Sequence, residues 1–139
     1  MLKKLPLVLL CMIVSERCLA ADTPPPTIDM TTIMIDAFGK TIPDGSQAKT
    51  DDPKCEKCAP LTLGTVVATA LLSDRKDETG MSALDKAKRG ALAMRMLDNK
   101  AAVLTPAQVV EIEKLLTVWP TIIITRALPM IDPTVKLDN

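Results

Sequence analysis

The sequence predicts a mainly α-helical protein in which a short N-terminal β-hairpin is followed by a bundle of three to four helices. Hydrophobic residues make up 47% of the 139 residues but aromatic residues only 1%, so we expect a core of aliphatic side chains. Leu, Met and Ala are good helix formers, which favours helix packing. Three segments also show a Ser or Thr N-cap ahead of apolar residues at helical spacing.

Residues 1–20 have the three parts of a secretory signal peptide. Lys3 and Lys4 form a basic start, residues 5–14 are an apolar run, and a polar exit ends at Ala20. The apolar run is shorter than the roughly 20 residues that span a bilayer. The sequence therefore predicts cleavage after Ala20, a periplasmic or secreted protein, and no stable membrane anchor after cleavage. The alternative is a wrongly assigned start, with an internal methionine such as Met30 beginning the protein.

Extended segments and a loop are predicted between the signal peptide and the helices. Residues 21–31 include three consecutive prolines and are expected to form an extended lead. Residues 32–36 are β-branched and partly alternating, and a turn at Gly39 should return the chain along residues 40–42 as a hairpin. Residues 43–60 are rich in turn formers and are predicted to be a solvated loop, so that hairpin and loop together occupy residues 32–60.

The loop contains one chemically suggestive motif, Cys-Glu-Lys-Cys at residues 55–58. A disulfide between Cys55 and Cys58 is expected in an oxidising compartment, where its short ring would stiffen the loop only slightly. A zinc site needs two more thiolates. Cys11 and Cys18 leave with the signal peptide, so a symmetric dimer would have to supply them. A redox pair activated by neighbouring lysines is the third hypothesis. The structural interpretation is favoured, since no aromatic residue precedes the pair and Ala-Pro follows it instead of a helix turn.

Residues 61–131 are predicted to be the helical domain. Its first helix begins after Thr62 as N-cap and is apolar on nearly all sides, so it should be the most buried element. A second helix begins after Ser82, with Asp85 near the positive end of the helix dipole. The expected inward stripe of this second helix consists of Leu84, Ala87, Ala91 and Met94.

Four basic side chains of the second helix lie off that stripe and form a candidate basic face. They are Lys86, Lys88, Arg89 and Arg95. Such a face would bind an acidic partner or anionic lipid. Four charges without interleaved aromatic residues are more typical of a solvated helix surface, and that interpretation is favoured.

The third helix has the clearest local signal in the chain. Thr105 is the expected N-cap, Pro106 the first helical residue and Gln108 the third, which together form a capping box. The apolar stripe behind the box contains Val109, Ile112 and Leu116, widened by Val110 and Leu115.

Residues 120–128 are predicted to be a fourth helix rather than a buried strand. Pro120 suits a first helical position, although the β-branched residues that follow favour a strand. Pro129 is expected to end the helix, because proline lacks the N–H that a helix requires. Residues 132–139 are predicted to be a polar tail.

Composition limits the classes of function. The chain has no His, which removes imidazole bases, Ser-His and Cys-His pairs and His metal ligands. Its net charge is zero and aromatic residues are nearly lacking, which argues against nucleic-acid binding. We expect no cofactor and no enzymatic activity, but binding to a protein partner or self-association. Periplasmic thiol-disulfide or metal handling by Cys55 and Cys58 is the alternative.

The order of several motifs resembles a group of small proteins encoded by tailed phages and prophages. The motifs are Asp36, Gly39, Pro-Leu-Thr-Leu-Gly at 60–64, Arg-Gly-Ala-Leu-Ala at 89–93, Leu-Thr-Pro-Ala-Gln at 104–108 and a Pro-started apolar segment with Arg at 120–126. The signal peptide and the Cys-bearing loop depart from the pattern of this group. The group has no established activity, so the resemblance assigns no functional residues. The resemblance implies a phage- or prophage-encoded protein. If the protein begins at an internal methionine and has no signal peptide, the resemblance implies a cytoplasmic phage assembly factor.

Overall fold

The computed structural model describes residues 25–45, 55, 58–74 and 79–137. This part of the chain contains four α-helices and a two-stranded antiparallel sheet, so the predicted mainly helical class is confirmed. In chain order the elements are β1 (Thr27–Asp29), α1 (Leu63–Leu72), α2 (Ala83–Asp98), β2 (Ala101–Val103), α3 (Pro106–Leu115) and α4 (Thr121–Ile131). A 3₁₀ turn, Leu116–Val118, extends α3. The predicted signal peptide, residues 21–24 of the predicted lead, residues 46–54 and 56–57 of the predicted loop, and residues 138–139 of the predicted tail lie outside the described residues.

The sheet joins the N-terminal segment to the chain between α2 and α3. β1 pairs with β2 so that Ile28 lies opposite Ala102, and both side chains are buried. Three residues of the predicted Pro-rich lead therefore form a strand. The sequence did not indicate this pairing, because the two strands lie far apart along the chain and each is only three residues long.

The predicted turn at Gly39 is present, but as a bridged turn rather than as a regular two-stranded hairpin. Ile35 and Thr41 form an isolated antiparallel bridge across it. Gly39 has a φ of 78°, a left-handed conformation that glycine adopts without a steric cost. The Asp36 carboxylate accepts hydrogen bonds from two backbone N–H groups of the turn, each at 2.8 Å. This side chain holds the turn closed.

The N-terminus of α1 is held by the segment that follows β1. The first N–H groups of any helix lack intrahelical partners. Those of Leu63 and Gly64 donate to the carbonyl oxygens of Thr32 and Met30, at 2.8 and 2.9 Å. The Thr65 N–H donates to the Thr62 hydroxyl at 3.3 Å, which confirms Thr62 as the N-cap. The N-terminal segment is therefore part of the helical core.

Gly64 allows α1 and α2 to approach each other closely. A Cβ at this position would lie 2.6 Å from the carbonyl oxygen of Met96 and 3.1 Å from that of Met30. A Cβ atom does not fit at 2.6 Å from a fixed backbone oxygen, so the contact requires glycine. The side chains of Met30 and Met96 are 2% and 1% exposed, so this junction of three segments lies in the core.

The orientation of α2 differs from the predicted one. Its buried residues are Arg89, Leu92, Ala93 and Met96. The expected inward stripe of Leu84, Ala87, Ala91 and Met94 is exposed to solvent. The helix has two apolar stripes, and the close approach at Gly64 selects the one that contains Met96. The predicted inward stripe was therefore wrong.

The capping box of α3 is confirmed. The Gln108 N–H donates to the Thr105 hydroxyl at 3.3 Å, and the Thr105 N–H donates to the Gln108 side-chain oxygen at 2.9 Å. Ile112 lies in the core as predicted, whereas Val110 is 48% exposed and does not widen the buried stripe. After α3, the Trp119 indole N–H donates to the backbone oxygen of Val66 at 2.9 Å. This hydrogen bond connects the segment between α3 and α4 to α1.

The helical prediction for residues 120–128 is also confirmed. Pro120 is the N-cap of α4 rather than its first residue. Pro129 does not end the helix, which continues to Ile131. Ile131 is 1% exposed, so its burial anchors the turn that Pro129 would otherwise weaken.

The Gly64→Ala substitution should lower the free energy of unfolding by about 2 kcal/mol, because the added methyl group overpacks a contact between backbone atoms. Urea unfolding followed by circular dichroism at the helix band measures this change.

Gly90→Ala is the matched control. Gly90 is also inside a helix, but an added Cβ meets nothing within 4 Å. Here the substitution should raise the free energy of unfolding by up to about 1 kcal/mol through helix propensity alone. Equal effects of the two substitutions would contradict the close approach at Gly64.

Candidate functional site

The most distinctive surface of the described chain is an apolar face of α2. Leu84, Ala87, Ala91 and Met94, here called the α2 outer seam, are all exposed, with Leu84 at 63% and Met94 at 53%. They follow the spacing of coiled-coil a and d positions, which places them in one row along the helix. Apolar residues grouped in this way mark an interaction surface more often than single exposed residues do.

The basic residues predicted on α2 do not form one face. Lys86, Lys88 and Arg95 are exposed, whereas Arg89 is 7% exposed and belongs to the buried side. Arg89 sits one helical turn before the buried residues Leu92 and Ala93, and its long aliphatic stem suits burial there. The candidate basic face is therefore corrected by the removal of Arg89.

Two cationic side chains lie on one flank of the α2 outer seam, and Asp98 continues the line of the seam after Met94. At 100° per residue, Lys88 and Arg95 project next to Leu84, while the other flank carries Ala83, Gly90 and Leu97. The Lys88 ammonium lies 3.9 Å from the Asp85 carboxylate, and both side chains are well exposed. An exposed pair of this kind contributes little to stability. These charges are thus available to orient a partner on the seam.

Cys55 and Cys58 lie at disulfide distance, with their Cα atoms 5.1 Å apart. Cys55 is 5% exposed and has a φ of 51°, in the left-handed region that residues other than glycine rarely adopt. Its Sγ lies 3.8 Å from the carbonyl oxygen of Asp44, which is itself buried. The predicted solvated loop is therefore packed against the protein at these described positions.

An open depression of about 340 Å³ lies beside the Gly64 junction. Its polar lining includes three threonine hydroxyls, of which that of Thr31 donates to Asp29 at 2.6 Å, while those of Thr62 and Thr65 are 3.1 Å apart and hydrogen-bonded. The depression has one carboxylate, Asp98, and so does not offer the pair of acidic groups that acid–base catalysis often uses. Its hydroxyls serve the local structure.

Two aspartates in turns have lowered pKa values for structural reasons. Hydrogen bonds from the Thr31 hydroxyl and backbone N–H lower the pKa of Asp29 below its ordinary value. The same pair of bonds from Thr134 lowers the pKa of Asp132. A general acid working near neutral pH needs a raised pKa instead, so these carboxylates act as turn acceptors.

Metal ligands are not gathered in the part of the chain that the structure describes. No group of three or more His, Cys, Asp or Glu side chains lies close enough there to hold a metal ion. Every buried side-chain nitrogen or oxygen among these residues has a hydrogen-bond partner. None of the helices in the described ranges is long and apolar enough to cross a membrane.

Comparisons of the chain with protein-family models, curated proteins and solved structures found no match. The resemblance to small phage and prophage proteins therefore stays a prediction from the sequence. The functional inference depends on the α2 outer seam and the cysteine pair. Of these, sequence patterns indicated the cysteines. Sequence patterns assigned the four seam residues to the core. The helix also has a second apolar stripe, with Leu92 and Met96, and this second stripe indicated that one of the two faces could lie outside the core.

The protein recovered without reductant from cells that express the full chain should have an intact mass lower by two hydrogens than the reduced protein. Cys55 and Cys58 should take up alkylating reagent only after reduction, because their sulfur atoms are paired. The mass should also lack residues 1–20. The variant Cys55→Ser/Cys58→Ser is the control and should take up no reagent. Two free thiols before reduction would contradict the pairing.

Proposed function

We propose that this is a small exported protein without enzymatic activity that acts by binding a protein partner or a second copy of itself. The observation that carries the proposal is the α2 outer seam, an exposed apolar row on a helix whose opposite face is fully packed. A row of a and d positions is the surface that a second helix uses for knobs-into-holes packing.

The chemistry of the described residues also supports a binding role. The chain has no His. The depression beside Gly64 has a single carboxylate, and its threonine hydroxyls are engaged in local hydrogen bonds. The two carboxylates with shifted pKa values are held in the charged form by turns, which is the wrong direction for a general acid. These features favour a binding surface over a catalytic centre.

Export to an oxidising compartment is part of the proposal. The tripartite pattern of residues 1–20 supports it, and a cysteine pair at disulfide distance is typical of extracytoplasmic proteins. The presence of β1 argues against a start at Met30. A chain beginning there would lack Ile28, which is 5% exposed and lies opposite Ala102 in the sheet. A phage or prophage origin is proposed on the sequence motifs alone.

A thiol-disulfide or metal-handling protein is the second candidate. The observation in its favour is the left-handed backbone of Cys55, since unusual conformations are concentrated at functional positions. The burial of Cys55 counts against it, because reactive thiols are usually accessible. The role of a structural clip at the end of a loop fits both the burial and the short ring.

A photo-crosslinking amino acid placed at Ala91 should form a discrete light-dependent adduct in the cells that normally produce the protein. We expect this adduct because Ala91 lies within the α2 outer seam, where it would contact the partner directly. Gel mobility and mass spectrometry identify the adduct.

Ala107 is the matched control position, because it is an exposed alanine on a helix outside the seam. Adducts at neither position, or equal adducts at both, would contradict the proposal. The same experiment in the Cys55→Ser/Cys58→Ser variant separates the two candidates. An unchanged adduct supports binding through α2, whereas loss of the adduct favours the thiol-dependent function.

A further inference from the structure

The two halves of the Cys55–Cys58 disulfide have different surroundings. Cys55 is 5% exposed, whereas Cys58 is only half-buried. The Cys55 Sγ also lies 3.8 Å from the carbonyl oxygen of Asp44, within reach of the weak hydrogen bond that a thiol donates to oxygen. A reagent that approaches the pair from solvent therefore meets Cys58 before Cys55.

The chain around the pair is held together without the sulfur atoms. It enters and leaves the Cys-bearing loop through an antiparallel bridge between Pro43 and Pro60. Beside this bridge the Asp44 N–H donates to the carbonyl oxygen of Ala59 at 2.9 Å. The disulfide closes a very short ring, and short rings add little stability. Breaking the disulfide should therefore leave the loop ends paired and the helices folded.

From this asymmetry we propose that the disulfide is a reversible clip that exchanges with an external dithiol. The dithiol attacks Cys58, and Cys55 is the sulfur that leaves. This inference is independent of the proposed binding role of the α2 outer seam. It makes the Cys-bearing loop the part of the protein that responds to the redox state of its surroundings.

The exchange proceeds in two steps that conserve atoms and electrons. A thiolate of the dithiol first forms a bond to the Cys58 Sγ, and the Sγ–Sγ bond breaks with its electron pair on the Cys55 Sγ, which takes up a proton. The second thiol of the dithiol then loses its proton and attacks the sulfur of its own molecule, which releases Cys58. The protein disulfide has gained two electrons and two protons, and the dithiol has become a disulfide.

The position of the Asp44 carbonyl oxygen explains why Cys55 suits the role of leaving sulfur. A carbonyl oxygen accepts hydrogen bonds and cannot donate them, so it stabilises a protonated sulfur and not a thiolate. The Cys58 N–H donates to the Cys55 carbonyl oxygen at 3.0 Å, and this backbone bond does not involve the sulfur atoms. It keeps the two thiols near each other after reduction, so the disulfide can form again.

The reactivity of the two sulfur atoms is measured with oxidised glutathione on the variants Cys55→Ser and Cys58→Ser, each recovered from cells that express the full chain. Cys58 in the first variant should form its mixed disulfide at least about tenfold faster than Cys55 in the second, because the buried sulfur is shielded. In urea, where both chains are unfolded, the two rates should agree within about twofold. Circular dichroism checks that the two variants are equally helical before urea is added.

The unsubstituted protein gives a second measurement that does not depend on the folding of a variant. After brief exposure to reduced glutathione, free thiols are blocked with N-ethylmaleimide and the chain is digested. Trypsin cuts after Lys54 and Lys57, so the two cysteines fall on different peptides. We expect the glutathione on the peptide that contains Cys58. The fully reduced protein should keep its helical circular dichroism and regain the disulfide when oxidised glutathione is added.

Glutathione mainly on Cys55, or equally on both cysteines of the folded protein, would overturn the assigned direction of attack. Adducts that form only after unfolding would overturn the exchange and show an inert structural clip. Loss of the helical signal on reduction would overturn the reversible clip, because the fold would then require the disulfide.

Discussion

The contact between the backbone of α1 at Gly64 and the carbonyl oxygens of Met30 and Met96 determines the rest of the arrangement. It brings the segment after β1, the start of α1 and the end of α2 into one junction, where a side chain of even one carbon does not fit. The Met30 carbonyl also accepts the Gly64 N–H at 2.9 Å, so the junction satisfies a polar group as well as packing apolar ones. The N-terminal segment is thereby built into the helical core.

The same junction explains why the apolar seam of α2 faces solvent. Once Met96 lies against Gly64, the helical repeat places Arg89, Leu92 and Ala93 towards the core, and the face with Ala91 must lie on the other side. The exposed seam is thus a consequence of packing, and a helix with two apolar faces is expected to use the second one for a partner. The proposed binding role is motivated by this geometry.

Sequence patterns predicted the features that depend on neighbouring residues. The caps at Thr62 and Thr105 and the helix after Pro120 are of this kind, because each depends on a hydrogen bond or a dihedral preference within a few residues. The sheet between β1 and β2 and the buried face of α2 depend on distant segments and were not predicted. Pro129 shows the same limit, since the burial of Ile131 outweighs a local preference for ending the helix.

The orientation of α2 is the central claim, and a pair of substitutions at neighbouring methionines tests it most directly. Both are measured by urea unfolding in the Ala91→Glu background, so that self-pairing does not contribute. Met96→Ala removes a side chain that is 1% exposed and should lower the free energy of unfolding by about 2–5 kcal/mol. Met94→Ala, at a position 53% exposed, should change it by less than about 0.5 kcal/mol. The opposite order of effects would show that the seam faces the core and would contradict this account of the protein.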